Sequence, residues 1–93
     1  MNLQITNKQL QIVKSILSRV TPNKRYYVFG SRAEFRAKKY SDLDLVTKDP
    51  LTPLEYTRLK ICFENSDLPF RVDVVEQTML DGKFDLNLTL VPL

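Results

Sequence analysis

The sequence predicts a small α/β domain with helices packed against a mixed sheet. Three observations lead there. Two segments carry apolar residues at helical spacing behind a capping signal, several short runs are β-branched and aromatic, and the two kinds of segment alternate along the chain. Ninety-three residues fit one domain with a modest core, so residues 1–93 are expected to fold as a single unit.

The first helix is expected over Thr6 to Val20, where Leu10, Ile12, Val13, Ile16, Leu17 and Val20 recur on one face. Thr6 and Gln9 have the spacing of a capping box, and Thr21-Pro22-Asn23 ends the segment. Arg25 to Phe29 reads as a short strand stopped by Gly30. Ser31 to about Lys38 is expected to form a helix starting at that glycine. Leu43 to Thr47 is the second strand. Thr52-Pro53-Leu54-Glu55 opens the next helix, with Thr as cap, Pro in the first position and Glu closing the box, and the helix runs to about Asn65. Phe70 to Glu76 is the third strand. Asp81-Gly82 signals a turn, and the strict alternation of Phe84 to Leu90 predicts a last, amphipathic strand with Pro92 at a tolerant edge.

Composition narrows the chemistry. Histidine is absent, which removes Ser-His-Asp, Cys-His and histidine-ligated zinc sites. The single cysteine, Cys62, allows no internal disulfide and fits a reducing cytoplasm, where it reads as a small buried hydrophobe. No apolar run is long enough for a membrane span, and the N-terminus lacks the pattern of a signal peptide. The net charge of +3 is uneven: residues 1–40 carry +8 and residues 41–93 carry −5. A basic half suits an anionic ligand such as nucleotide phosphates, and an acidic half suits a cation; solvated surface charge accounts for part of both.

Three carboxylates stand out. Asp42 and Asp44 are two apart at a strand, so they project to one face while Leu43 and Leu45 face the core. Asp73 sits inside the apolar run Val72-Asp73-Val74-Val75, where an unpaired buried charge is costly. If the third strand lies beside the second, Asp73 faces the other two. Three such carboxylates repel one another unless cations lie between them, and hard oxygen donors suit magnesium or manganese. Two metals held this way clamp the attacking and leaving oxygens of an in-line displacement. An Asp-x-Asp pair alone is common and reads more often as a solvated strand face. Gly30-Ser31 at a strand end allows a phosphate to approach the main chain and offers it a hydroxyl. Arg32, Arg36, Lys38 and Lys39 follow and are available to neutralise phosphate, with a solvated basic face as the plain reading for Lys38 and Lys39. Tyr26, Tyr27, Phe29 and Phe35 are expected in the core or at an interface.

Taken together, Gly30-Ser31-Arg32-Ala33, Ser41-Asp42-Leu43-Asp44-Leu45 and Val72-Asp73-Val74-Val75 resemble the motifs of the DNA polymerase β-like nucleotidyltransferases. Within that superfamily the chain looks like the minimal nucleotidyltransferases, the MntA-like antitoxins of HEPN/MNT toxin–antitoxin pairs, a likeness that Ser66 to Asp73 extends and that covers about residues 8–76. The resemblance implies the polymerase β-like fold and a metal-dependent transfer of a nucleoside monophosphate, AMP from ATP, with release of pyrophosphate. Asp42 and Asp44 would hold Mg2+ or Mn2+, with Asp73 completing the site and helping to deprotonate the acceptor hydroxyl. Gly30 and Ser31 would bind the nucleotide's β- and γ-phosphates, with Arg32 beside them. The acceptor would be a tyrosine on a HEPN ribonuclease toxin encoded nearby, silenced by the adduct in a hetero-oligomer. Glu34-Phe35 stands where family members commonly have Arg-Gly, and the chain from Gln77 on departs from the usual, more helical ending. Two other readings remain: a module that neutralises its partner by contact alone, and transfer to a small molecule. Direct nucleic-acid binding ranks below all of these, since no recognisable module is present.

Overall fold

A computed structural model describes residues 3–77 and 90–93. The element order is helix α1 (Asn7–Val20), strand β1 (Tyr26–Phe29), a turn of 3-10 helix (Gly30–Arg32), β2 (Leu43–Thr47), α2 (Pro53–Glu64), β3 (Val72–Glu76) and β4 (Val91–Pro92). Both helices begin where their capping boxes predict. Gln9 N donates to Thr6 Oγ1 at 3.1 Å and Thr6 N donates back to Gln9 Oε1 at 3.0 Å. Thr52 and Glu55 repeat the exchange at 3.1 and 2.9 Å, with Pro53 in the first turn. Each box satisfies main-chain N–H groups that the helix itself cannot.

The sheet has the order β3-β2-β1-β4. β1 is antiparallel to both β2 and β4, whereas β2 and β3 run parallel, joined through α2. Leu43, Leu45 and Val74 turn one sheet face toward Val13, Ile16 and Leu17 of α1 and Leu59 and Phe63 of α2, forming the core. Cys62 is half-buried against this cluster, and Tyr26 is inside it, its hydroxyl 2.8 Å from Thr21 Oγ1. The opposite parity of β2 and β3 belongs to Asp44 and Asp73, which are register partners.

Three expectations need correction. No helix spans Ser31 to Lys38. After the single 3-10 turn, residues 33–42 form an irregular loop, because Phe35 takes a left-handed φ of 56° and Gln4 captures both main-chain groups of Ala37. A helix would need those groups for its own ladder. The first and third strands also begin later than the sequence suggests: Phe70 is buried in the core ahead of β3, and Arg71 is exposed. Phe35, expected in the core or at an interface, is 59% exposed, which leaves the interface reading and not the core. The Asp81-Gly82 turn and the strand expected over Phe84 to Leu90 lie outside the described residues, save for Leu90. Just beyond, Val91 and Pro92 pair with Val28 and Tyr27 at the sheet edge, where proline's missing N–H is tolerated.

Candidate active site

Gly30 ends β1 with φ +74°, a conformation that side-chain-bearing residues rarely adopt. A Cβ added there would lie 2.5 Å from Asp44 Oδ2. The glycine thus serves two needs at once: the reversal out of β1, and close approach of main chain to a carboxylate. The pairing Phe29↔Asp44 across β1 and β2 brings this turn to that aspartate. Ser31 follows directly and is half-buried.

Asp42 lies immediately before β2, Asp44 is its second residue, and Asp73 is the second residue of β3. The parallel register Asp44↔Asp73 sets the last two side by side, with Asp42 at the same strand ends. Asp42 and Asp44 are half-buried, and Asp73 is exposed. The Asp44 carboxyl is pushed up to about 6, first by burial and then by the charges of Asp73 and Asp42. Among the described residues, no ion pair or hydrogen bond engages these three side chains: the ion pairs are Lys24–Glu55, Arg25–Asp49 and Arg36–Glu34.

Carboxylate oxygens at neighbouring strand ends are the donor type that Mg2+ or Mn2+ takes. Among the described residues, no group of three acidic or cysteine side chains is placed to hold a metal ion. An ion here would therefore take further oxygens from a bound phosphate or water, as Mg2+ commonly does. A groove of about 580 Å³ opens beside Asp42 and Asp73 and runs past Arg71, Tyr40 and Phe63 to Tyr56 on α2, a size suited to a small ligand or the tip of a polypeptide.

Arg32 is placed differently from its neighbours. It is 5% exposed, and its guanidinium donates to main-chain carbonyls of Gln4, Lys38, Lys39 and Ser41. Arg36, Lys38 and Lys39 are exposed. Sequence reasoning did not find Gln4 or Phe70, both of which touch Arg32. No local signal marks them, since Gln4 meets its partners across nearly thirty residues of chain.

The mixed four-stranded sheet, with the tight glycine turn and the strand-end carboxylates on it, agrees with the expected polymerase β-like nucleotidyltransferase fold. The family model described as nucleotidyltransferase domain matches residues 7–87, and the chain belongs to that family. It is 47% identical over 76 residues to the "Probable protein adenylyltransferase MntA" of Haemophilus influenzae, an alignment covering 80% of this chain and 67% of that protein. Among solved structures, it is similar to spectinomycin adenyltransferase AAD(9) from Enterococcus faecialis, crystallised with ATP and spectinomycin. The TM-score is 0.52 and the identity 25%, over 82% of this chain and 36% of that enzyme. The chain thus spans only about a third of the solved relative.

Proposed function

We propose that this nucleotidyltransferase moves AMP from ATP to a hydroxyl on a partner protein, a tyrosine of a HEPN toxin encoded nearby, and so acts as an antitoxin in the cytoplasm. The register Asp44↔Asp73, with Asp42 at the same strand ends, carries the reading, because it brings together three carboxylates with no ion pair among the described residues, beside a glycine turn. The likeness to an adenylyltransferase at 47% identity supports protein as the acceptor class.

Asp42 and Asp44 would hold Mg2+ or Mn2+, with Asp73 completing the set. When bound, the metal supplies positive charge against the triphosphate and the developing pyrophosphate. The main chain at Gly30 would meet the β- and γ-phosphates, and Ser31 would offer its hydroxyl to the same oxygens. Asp73, exposed and reached from the groove, accepts the proton of the acceptor hydroxyl. The acceptor oxygen bonds to the α-phosphorus, the α–β phosphoanhydride bond breaks, and pyrophosphate leaves.

The test is toxin neutralisation by the intact chain and by Asp44→Asn. Wild type is expected to silence the toxin and the variant to leave it active. Equal neutralisation by both would replace catalysis with contact alone as the mode of action.

A further inference from the structure

Arg32 is the one buried charged side chain among the described residues, and its surroundings explain why it is an arginine. Nε and Nη2 both donate to Ser41 O, at 3.1 and 2.9 Å. Nη2 also reaches Lys39 O at 3.2 Å and Lys38 O at 3.4 Å, and Nη1 donates to Gln4 O at 2.8 Å. The guanidinium lies over the Phe70 ring, 4.0 Å from its centroid. No carboxylate pairs with it among the described residues; carbonyl dipoles and an aromatic face compensate its burial. Consistent with that, burial lowers its pKa from the ordinary arginine value.

These contacts join every piece of the candidate site. Arg32 belongs to the turn that begins at Gly30. Ser41 is the residue before Asp42, and Phe70 lies three residues before Asp73. Gln4 completes the clamp from the far side: its N–H donates to Arg32 O at 2.9 Å, and its side-chain amide takes both main-chain groups of Ala37, at 2.7 and 2.8 Å. Without these contacts the loop 33–42 would keep few bonds of its own, chiefly Arg36 N to Ser31 O at 2.8 Å and the Lys38–Ser41 turn.

We propose that Arg32 is a positioning residue that clamps the Asp42-bearing loop to the glycine turn and to the lead-in of β3, with Gln4 as its second jaw, and that it does not contact nucleotide phosphate. Each guanidinium nitrogen already has a partner, and turning them to a phosphate would release the carbonyls of Lys38, Lys39 and Ser41 and with them the segment before Asp42. A lysine cannot substitute, because one ammonium lacks the planar fork that spans these carbonyls. The proposal rests on the reading of Asp42 as a metal-holding residue.

The test uses the full chain with Arg32→Gln, Arg32→Lys and Gln4→Ala, and two measurements. The first is limited trypsin digestion read by mass spectrometry, which needs no activity. Cleavage after Arg36, Lys38 and Lys39 is expected to rise about tenfold in Arg32→Gln and about threefold in Gln4→Ala, with cleavage after Arg58 and Lys60 in α2 unchanged. The internal α2 sites separate loop opening from global unfolding, and Gln4→Ala keeps the question decidable if the arginine variants do not fold. The second is transfer of label from ATP. A positioning role lowers kcat by about tenfold or more in both arginine variants with KM for ATP within about twofold, and lysine gives no rescue. A tenfold higher KM with kcat held and rescue by lysine would make Arg32 a phosphate ligand and overturn the proposal. An unchanged digestion pattern in all three variants would overturn it too. A wild-type chain that transfers nothing would count against the functional reading, and the digestion would still decide the clamp.

Discussion

Asp44 shows how one residue sets fold and chemistry against each other. Its carboxyl titrates at about 6 in the fold against an ordinary 3.8, so the folded chain binds this proton more tightly than the unfolded chain does. The stabilisation from the protonated form is full below pH 3.8 and is lost as pH rises toward about 6. Above that range the metal-free fold carries a half-buried charge at a cost of about 1–2 kcal/mol, after discounting for partial solvent exposure. Asp44→Asn should therefore melt higher than wild type near pH ~7.5 and equal it near pH ~3.5, while transfer falls by about a thousandfold or more. With Asp44 holding the metal as proposed, metal and proton would compete there, and the Mg2+ needed for half-maximal transfer should rise as pH drops below about 6. Gly30→Ala should cost about 1–2 kcal/mol from its positive φ, measurable by urea unfolding, and should lose far more activity than that, because the new methyl displaces the Asp44 carboxylate. Phe35 sits in a left-handed conformation at φ 56°. Phe35→Gly is expected to raise stability by about 0.5–1 kcal/mol, since the exposed ring contributes little packing. The three aspartates and the glycine were legible from their residue types and order. The placement of Arg32 was not, because its partners are main-chain carbonyls that any residue could supply.

At the level of elements, the capping boxes were the clearest text in the sequence. Thr6/Gln9 and Thr52/Glu55 mark both helix starts to the residue, because each box is a local exchange of two hydrogen bonds. Thr52→Ala should cost about 1 kcal/mol by chemical denaturation, and Leu59→Ala, which empties a fully buried site on α2, about 2–5 kcal/mol. β2 was legible because Leu43 and Leu45 alternate with the acidic residues. The segment after Gly30 was misread as a helix because its composition permits one, and what prevents it is tertiary: Gln4 holding Ala37, and Arg32 holding the carbonyls of Lys38, Lys39 and Ser41. The late start of β3 has a similar origin, since Phe70 packs into the core under Arg32 before the strand begins.

For the molecule as a whole, the parallel joining of β2 and β3 through α2 makes the candidate site. It places Asp73 beside Asp44 although nearly thirty residues separate them, a pairing that the sequence allowed but did not dictate. The helices occupy one face of the sheet and supply stability, while the turn after β1 and the strand ends collect the charged groups. Among the described residues, no helix is long and apolar enough to cross a membrane. The most direct measurement incubates the purified chain with Mg2+, α-labelled ATP and the product of the neighbouring gene, and then reads both chains by mass spectrometry. The expected result is AMP on the partner with wild type and none with Asp42→Asn, Asp44→Asn or Asp73→Asn, each variant still folded. Undiminished AMP addition by the folded aspartate variants would contradict the assignment of the site.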